Sequence, residues 1–292
     1  MTGPTVTLID EKIVPVEDAR ISPFDRGFLF GDGVYEMVRT FDGVPVEMGA
    51  HVQRLARSLR ETRIEGFDAR RFHDIVPRLL EAERLTDAGV YLQVTRGAER
   101  PRRHVPGNEI RPTVFAFAAP LPPLRELATI ESTDVVLVPD DRWGRTDVKS
   151  LNVLANVLSA MQARDRGAGE AILHRDGLVS EGTHSTVIAI LDGVLTAPSI
   201  TAAPTILPGT MRSLILDAGR KIGIPVSEGP LRADRIHSAT EIGIASSRRL
   251  LHQVGRLEGR PLPGGPWMSR LLASMVDSIG DSIAGPGRLP AP

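Results

Sequence analysis

Apolar positions in the first half of the chain follow two different periods. Val52, Leu55 and Leu59 recur at helical spacing and predict a helix over 51–64, with arginines on its other sides. A second helix is predicted over 69–85, with these residues buried: Phe72, Ile75, Val76, Leu79 and Leu80. Short apolar runs predict strands at 4–9, 34–41, 44–48, 90–96 and 112–117, and a weaker one within 12–20. The glycine-punctuated stretch 21–33 is expected to be an irregular loop packed against other residues.

The second half of the chain is richer in strands. They are predicted at 134–139, 170–175, 178–180, 184–191, 194–197, 224–227 and 240–246, and before Glu258-Gly259. Helices are predicted at 152–167, 209–222 and 266–283. Asp-Gly pairs at 42–43, 176–177 and 192–193 predict hairpin turns. Because strands and helices do not alternate as regular βα units, the pattern predicts an α+β fold.

A proline-rich stretch, 118–124, divides the two halves. Prolines stiffen the backbone and remove hydrogen-bond donors, which is typical of a linker. The predicted domains are therefore a small N-terminal domain, 1–117, and a larger C-terminal domain, 125–292, with a loose tail at 284–292. A chain of 292 residues is long enough for two hydrophobic cores.

Composition narrows the possible functions. The net charge is −1, from 35 basic and 36 acidic side chains, so neither nucleic acid nor an anionic membrane is an expected partner. The chain has no cysteine, which excludes disulfides and thiolate chemistry, and its seven scattered histidines predict no metal site. No N-terminal targeting signal and no apolar run long enough to span a membrane is present, so a cytoplasmic protein is expected.

Lys149 is the first candidate for chemistry. It lies between an apolar strand and a helical segment, within Asp147-Val148-Lys149-Ser150-Leu151-Asn152. A lysine in apolar surroundings loses hydration, and its neutral amine is a nucleophile toward carbonyl groups. The alternative is a solvated lysine in a loop, which is the better interpretation when the residue is taken alone.

Other motifs change that interpretation when they are taken together. They are Phe24-Asp25-Arg26-Gly27, Gly31-Asp32-Gly33-Val34-Tyr35-Glu36, His51-Val52-Gln53-Arg54-Leu55, Lys149-Ser150-Leu151-Asn152, Glu181-Gly182 and Leu207-Pro208-Gly209-Thr210-Met211-Arg212. In this order and spacing the chain resembles the fold-type IV pyridoxal-phosphate enzymes over about 21–279. The group includes D-amino acid transaminases, branched-chain aminotransferases and aminodeoxychorismate lyase. The resemblance implies a two-domain architecture, with a small α/β sandwich and a larger pseudo-barrel domain.

The resemblance also implies a site for pyridoxal 5′-phosphate. Lys149 matches the lysine that holds the cofactor as a Schiff base and moves the proton. Glu181 matches the carboxylate that pairs with the pyridine nitrogen, although alone it could be a hairpin-end residue. The phosphate would be bound by Arg54, by the helix start at Gly209, Thr210 and Met211, and by Ser246 and Ser247. Leu207 would pack on the ring. Where Met211 stands the family often has threonine, so one hydroxyl donor is missing.

The residues expected to bind substrate lie elsewhere. The loop 100–104 resembles the Arg-x-His segment of D-amino acid transaminases, in which Arg102, His104 and Tyr35 would hold the α-carboxylate. The loop is one residue longer than that pattern, so Arg100 and Arg103 are alternatives to Arg102. The family's loop comes from the partner subunit, which implies a homodimer.

Two further arginines depart from the family pattern. Arg248 and Arg249 stand where small or hydroxyl residues are usual, and they either face solvent or provide an extra carboxylate site. The resemblance implies a D-amino acid transaminase that transfers an amino group from D-alanine or D-glutamate to 2-oxoglutarate or pyruvate. Branched-chain or (R)-amine transaminases and aminodeoxychorismate lyase share the cofactor residues and remain alternatives. A binding protein without enzymatic activity is a further alternative, which the intact Lys149, Glu181 and Arg54 disfavour.

Overall fold

The computed structural model describes residues 3–285. By the contacts within the chain it divides into two compact units. The first comprises residues 3–123, 148–152 and 282–285, and the second comprises Leu124–Asp147 and Val153–Asp281. The division after Pro123 falls within the predicted linker. Unlike the predicted domains, these units place the segment that contains Lys149 with the N-terminal part of the chain.

The first unit is an antiparallel sheet with helices on one face. Its elements are β1 (Val6–Ile9), β2 (Lys12–Pro15), α1 (Arg26–Phe30), β3 (Gly33–Phe41), β4 (Val44–Pro45), α2 (Met48–Thr62), α3 (Phe72–Glu83), β5 (Ala88–Thr95) and β6 (Thr113–Pro120). Within the described residues the strand order is β2-β1-β6-β5-β3-β4. The residues predicted to be buried in α2 and α3 all lie in the core, packed against inward-facing strand residues such as Val34, Val38 and Leu92.

Three predictions in this unit are wrong in part. The stretch 21–33 is not entirely irregular, because α1 forms there with the Asp25 side chain accepting a hydrogen bond from the N–H of Gly27. The strand predicted at 112–117 continues to Pro120, which is paired with Ala88, so 118–120 are not linker. Proline is tolerated at the end of the strand because its missing donor interrupts no further ladder bonds. The predicted strand 44–48 is also shorter, since α2 begins at Met48.

The second unit contains a larger sheet. Its elements are β7 (Glu131–Pro139), α4 (Leu154–Asp165), β8 (Glu170–Arg175), β9 (Leu178–Gly182), β10 (Thr186–Leu191), β11 (Val194–Pro198), α5 (Thr210–Lys221), β12 (Val226–Gly229), β13 (Glu241–Ser246), β14 (Leu250–Leu257), β15 (Arg260–Pro261) and α6 (Trp267–Ala284). Among the described strands the order is β12-β11-β10-β13-β14-β7-β8-β9, with β15 beside β14. Most pairs are antiparallel, but β7 runs parallel to β8 and to β14, and β11 runs parallel to β12. The mixed arrangement confirms the predicted α+β class.

Turns and termini follow the sequence closely. Asp42-Gly43, Asp176-Gly177 and Asp192-Gly193 each have two consecutive positive φ angles, the conformation of a tight hairpin turn, and each joins a pair of antiparallel strands. Within residues 3–285, no helix is long and apolar enough to cross a membrane. Most of the predicted loose tail, 286–292, lies outside the described residues.

Candidate active site

Lys149 is fixed by backbone pairing with the start of β3. The N–H of Tyr35 donates to the Lys149 carbonyl oxygen at 3.0 Å, and the N–H of Leu151 donates to the Gly33 carbonyl oxygen at 3.0 Å. A Cβ on Gly33 would lie 2.6 Å from Cδ1 of Leu151 and 3.0 Å from the Val94 carbonyl oxygen, so any side chain there would displace its neighbours. The half-buried Lys149 extends its Nζ to 4.2 Å from the centroid of the Tyr35 ring, a cation–π distance. The amine of Lys149 is therefore held at one place over an aromatic face.

A buried ionic cluster lies behind this strand. Glu36 follows Tyr35 and points to the opposite face of the sheet, where it is completely buried. Arg54 donates from Nε and Nη2 to the two carboxylate oxygens, each at 2.8 Å. His51 Nδ1 lies 2.7 Å from Oε2 of the same carboxylate. The bidentate ion pair with Glu36 therefore fixes the Arg54 side chain, which does not lie free on the protein surface.

Charge determines the protonation states in this cluster. Burial raises the pKa of Glu36, but the positive charge of Arg54 and hydrogen bonds from Arg54 and His51 outweigh it and bring the pKa to about 2. Burial lowers the pKa of His51, and the positive charges of Arg54 and Lys149 lower it further. The hydrogen bond and negative charge of Glu36 raise this pKa, but they do not outweigh the other effects. His51 is therefore a neutral imidazole at neutral pH and donates its Nδ1 hydrogen to Glu36. Its Nε2 is buried and has no hydrogen-bond partner among residues 3–285.

The loop that includes Arg102 and His104 is held through its backbone. The buried Arg26 donates to the carbonyl oxygens of Arg103 at 2.6 Å and His104 at 2.9 Å. The Arg102 guanidinium carbon lies 4.2 Å from the Phe30 ring centroid, and the His104 ring lies 5.5 Å from it. The structure thus brings these two predicted residues together. Within residues 3–285 no hydrogen bond, ion pair or ring contact links either side chain to Tyr35 or Lys149.

An aromatic cluster beside Tyr35 was missed in the sequence. Tyr35 stacks on Tyr91 with ring centroids 5.6 Å apart, and Tyr91 stacks on Phe117 at 5.2 Å. Phe115 completes the group at 5.7 Å from Phe117. The signal was the alternation of β5 and β6, whose half-buried aromatic positions share one face of the sheet. These rings fix the orientation of the Tyr35 side chain.

In the second unit, Glu181 is paired with an arginine that the sequence analysis did not identify. Arg142 Nη1 donates to Glu181 Oε1 at 2.5 Å. The same guanidinium donates from Nε and Nη2 to both oxygens of Asp140, at 2.9 and 2.8 Å. Burial lowers the pKa of Arg142, but its hydrogen bonds to Asp140 and the charge of Glu181 outweigh that effect and raise it. The available signal was the Asp140-x-Arg142 pair directly after an apolar strand.

The start of α5 has the features of an anion site. Gly209 is the N-cap, and within the described residues no side chain caps this helix end, so its first N–H groups, including those of Thr210 and Met211, face outward from the helix. The Met211 side chain is buried, which leaves only its backbone for binding. Ser246 has a buried Oγ, and no group in the described part of the chain forms a hydrogen bond with it. Ser247 and Leu207 are half-buried.

The two arginines after Ser247 differ from each other. Arg249 Nη1 lies 3.5 Å from Oε2 of Glu170, a carboxylate that is completely buried. Glu170 also accepts from the Thr183 N–H at 2.9 Å and lies 3.2 Å from His184 Nε2. Arg249 therefore lies against a buried carboxylate and does not face solvent alone, and its role as a carboxylate site for a substrate stays a prediction. Arg248 is exposed, and no ion pair or hydrogen bond reaches it from the described residues.

Comparison with known families identifies the chain. The model of the amino-transferase class IV family matches residues 33–257. This chain belongs to that family. The match covers the segment of Lys149, the carboxylate Glu181 and the start of α5. It confirms the resemblance drawn from the sequence motifs, and the chain is an aminotransferase.

Individual relatives of this class IV aminotransferase agree with that assignment. A D-alanine aminotransferase of Listeria monocytogenes is 38% identical over 221 residues, which are 75% of this chain and 76% of the relative. A structure of a branched-chain aminotransferase from Thermoproteus uzoniensis superposes with a TM-score of 0.85 at 19% identity, covering 97% of this chain and 98% of that one. An aminotransferase from Mycobacterium tuberculosis, in an alpha-ketoglutarate and PMP bound form, has a TM-score of 0.80 at 25% identity, covering 94% and 98%. These structures confirm the predicted fold-type IV architecture.

Proposed function

We propose that this class IV aminotransferase is a D-amino acid transaminase that uses pyridoxal 5′-phosphate. The observation that supports the substrate class is the 38% identity with the Listeria monocytogenes D-alanine aminotransferase over three quarters of the chain. The amino donor would be D-alanine or D-glutamate, and the acceptor a 2-oxo acid. The alpha-ketoglutarate in the Mycobacterium tuberculosis structure supports 2-oxoglutarate as that acceptor.

The residues of the second unit fit a bound phosphate group. The uncapped start of α5 offers N–H donors, and the buried Ser246 Oγ lacks a hydrogen-bond partner within residues 3–285, so an anion would satisfy both. Ser247 would add a second hydroxyl, and Leu207 would pack on the cofactor ring. When bound, pyridoxal phosphate supplies an electron-accepting ring that stabilises the negative charge on the substrate Cα after its proton is removed.

Each remaining residue has a distinct task in this proposal. Lys149 would bind the cofactor covalently and, once displaced, carry the proton that leaves Cα. Its amine lies over the Tyr35 ring, which restricts the direction from which it can act. Glu181 would keep the ring nitrogen protonated through its negative charge. Arg54, whose guanidinium is held by Glu36, would supply a positive charge for the phosphate.

Substrate recognition would depend on the carboxylate. Arg102 and His104 would bind it together with a tyrosine of the Tyr35 type, and exposed Arg248 would serve the second carboxylate of D-glutamate. Because Arg102 and His104 make no hydrogen bond, ion pair or ring contact with Tyr35 in this chain's described part, we infer that they act on a partner's site in a homodimer. The apolar face of α4 supports such a dimer: its exposed side chains at helical spacing are Leu154, Val157, Leu158 and Met161.

The test is a visible spectrum of the purified protein with pyridoxal phosphate, followed by separate additions of four amines. D-Alanine and D-glutamate are expected to remove the visible band, whereas L-leucine and (R)-1-phenylethylamine are expected to leave it. Bleaching by L-leucine alone would refute the proposed substrate class and favour a branched-chain enzyme. Absence of any band would refute the cofactor.

The lysine assignment can be tested in the same sample. The chain has three lysines, Lys12, Lys149 and Lys221, so borohydride reduction followed by peptide mapping distinguishes them directly. The cofactor is expected on the peptide that contains Lys149. Lys149→Ala is expected to lose both the covalent label and transamination, and Lys221→Ala serves as the matched control. A label on Lys12 or Lys221 in the native protein would refute the assignment.

A further inference from the structure

We propose that Arg142 is a positioning residue for transamination, because it holds Glu181 in one orientation and keeps the proton of the cofactor's ring nitrogen on that nitrogen. This inference rests on the proposed function, in which Glu181 faces the ring nitrogen. Arg142 itself needs no contact with the substrate or the cofactor. It would act entirely through the carboxylate of Glu181.

The geometry fixes the guanidinium before it meets Glu181. Asp140 accepts two hydrogen bonds from Arg142 side-chain nitrogens, and it also accepts one from the Arg142 backbone N–H at 3.2 Å. Side-chain exposure is 1% for Asp140 and 7% for Arg142, so neither group can move into water without breaking the cluster. With its Asp140-facing edge held, the remaining nitrogen, Nη1, lies 2.5 Å from Glu181 Oε1. The orientation of Glu181 therefore depends on the loop that follows β7.

A second arginine completes the charge balance. Arg175 Nη2 lies 3.3 Å from Asp140 Oδ1 and donates to the Asp140 carbonyl oxygen at 2.8 Å. Ser180 Oγ donates to Asp140 Oδ2 at 2.7 Å. Two carboxylates thus meet two guanidinium groups in this cluster. Loss of Arg142 would remove its hydrogen bond to Glu181 Oε1, whereas Asp140 would keep its hydrogen bonds from Arg175 and Ser180.

The chemical consequence concerns the position of one proton. In a hydrogen bond between a carboxylate and a ring nitrogen, the proton lies on the stronger base. A guanidinium 2.5 Å from Oε1 withdraws charge from Glu181 and makes it the weaker base. The proton therefore stays on the ring nitrogen, which is the form that accepts electrons from the substrate Cα. Without Arg142 the carboxylate would take a larger share of that proton.

The experiment compares Arg142→Met with Arg142→Lys in the enzyme loaded with pyridoxal phosphate. Arg142→Met is expected to lower kcat for D-alanine on the order of 10- to 100-fold with little change in KM, the range for losing a hydrogen bond to a charged group. Arg142→Lys keeps the charge and is expected to recover part of kcat. The ring-nitrogen NMR shift of isotope-labelled cofactor is expected to move toward the unprotonated value in Arg142→Met. That shift would not move if Arg142 only stabilised the fold.

Two controls separate this role from a structural one. Arg175→Met removes an arginine that also contacts Asp140 but, among residues 3–285, makes no hydrogen bond or ion pair with Glu181, and it is expected to leave the nitrogen shift unchanged. Arg142→Met in a Glu181→Gln background is expected to lower kcat no further, because the residue through which it acts is already gone.

Three results would overturn the inference: an unchanged nitrogen shift in Arg142→Met, an equal shift in Arg175→Met, or full additivity with Glu181→Gln. If Arg142→Met does not fold, a loss of kcat in Arg142→Lys that is fully additive with the loss in Glu181→Gln would overturn the inference as well. These outcomes are distinct from failure of the proposed function. In that case the native protein itself would bind no pyridoxal phosphate and would lack the visible band.

Discussion

Replacing Glu36 tests how the first unit is stabilised. Glu36→Gln keeps the shape of the side chain but leaves the buried Arg54 facing a neutral amide. The pKa of Glu36 is lowered from 4.5 to about 2 in the folded protein. Since each pKa unit corresponds to about 1.36 kcal/mol, the ionised carboxylate stabilises the fold by about 3 kcal/mol at neutral pH. This value agrees with the loss of stability on breaking a buried ion pair by removing one partner, which is roughly 3–5 kcal/mol.

The sign of the pH dependence follows from the same pKa. A carboxyl group whose pKa is lower in the folded state stabilises the protein fully above its unfolded value of 4.5. That stabilisation is lost as the pH falls from 4.5 toward about 2. The free energy of unfolding in urea is therefore expected to differ between wild type and Glu36→Gln by about 3 kcal/mol at neutral pH. The difference should shrink across that acidic range.

Asp68 provides a matched control. Its pKa is also lowered to about 2, by hydrogen bonds from Arg70, but this pair is fully exposed to solvent. Water and salt screen such pairs, so Asp68→Asn is expected to leave the free energy of unfolding unchanged. If Glu36→Gln lowered the free energy of unfolding no more than Asp68→Asn does, the argument that burial strengthens the Glu36 ion pair would be refuted.

Three further predictions concern single side chains. Gly33→Ala is expected to displace the Leu151 side chain and to lower the yield of borohydride labelling at Lys149. Gly49→Ala, which has open space around its Cβ, is expected to leave the labelling yield unchanged. Equal labelling yields in the two variants would contradict the packing argument. Arg249→Ala removes an ion-pair partner of the buried carboxylate described above, so thermal denaturation should show a lower Tm, and an unchanged Tm would count against that pair. Arg248→Ala is expected to raise KM for D-glutamate and not for D-alanine, and a parallel change in both would exclude a role with the second carboxylate.

The sequence was sufficient to predict an element or a site where its local residue pattern agrees with the tertiary packing. The spacing of Val52, Leu55 and Leu59 predicted both the helix and its buried face, because α2 packs one stripe against the sheet. The motifs around Lys149 and Glu181 identified the family before any coordinates. The start of α5 was also found, since a glycine after proline is a local signal.

Other features depend on partners far apart in the chain. Nothing near Arg249 indicates that it pairs with Glu170, which is buried at the start of β8. The contact of Arg142 with Glu181 joins the loop after β7 to the end of β9, and only the sheet brings them together. The short helix α1 was missed because five residues give too little periodicity. The roles of the individual site residues stay predictions until they are tested by substitution.

Strand β3 has a further consequence for how this chain can vary. Tyr35 and Glu36 are neighbours in sequence, yet one supplies the ring beneath the Lys149 amine and the other the buried charge that fixes Arg54. Since side chains alternate along a strand, deleting or inserting one residue before Tyr35 would exchange these two environments. A charge would then lie on the lysine's side and a phenol in the core. The length of this segment is therefore as constrained as its composition, and related chains should accept substitutions here far more readily than insertions or deletions.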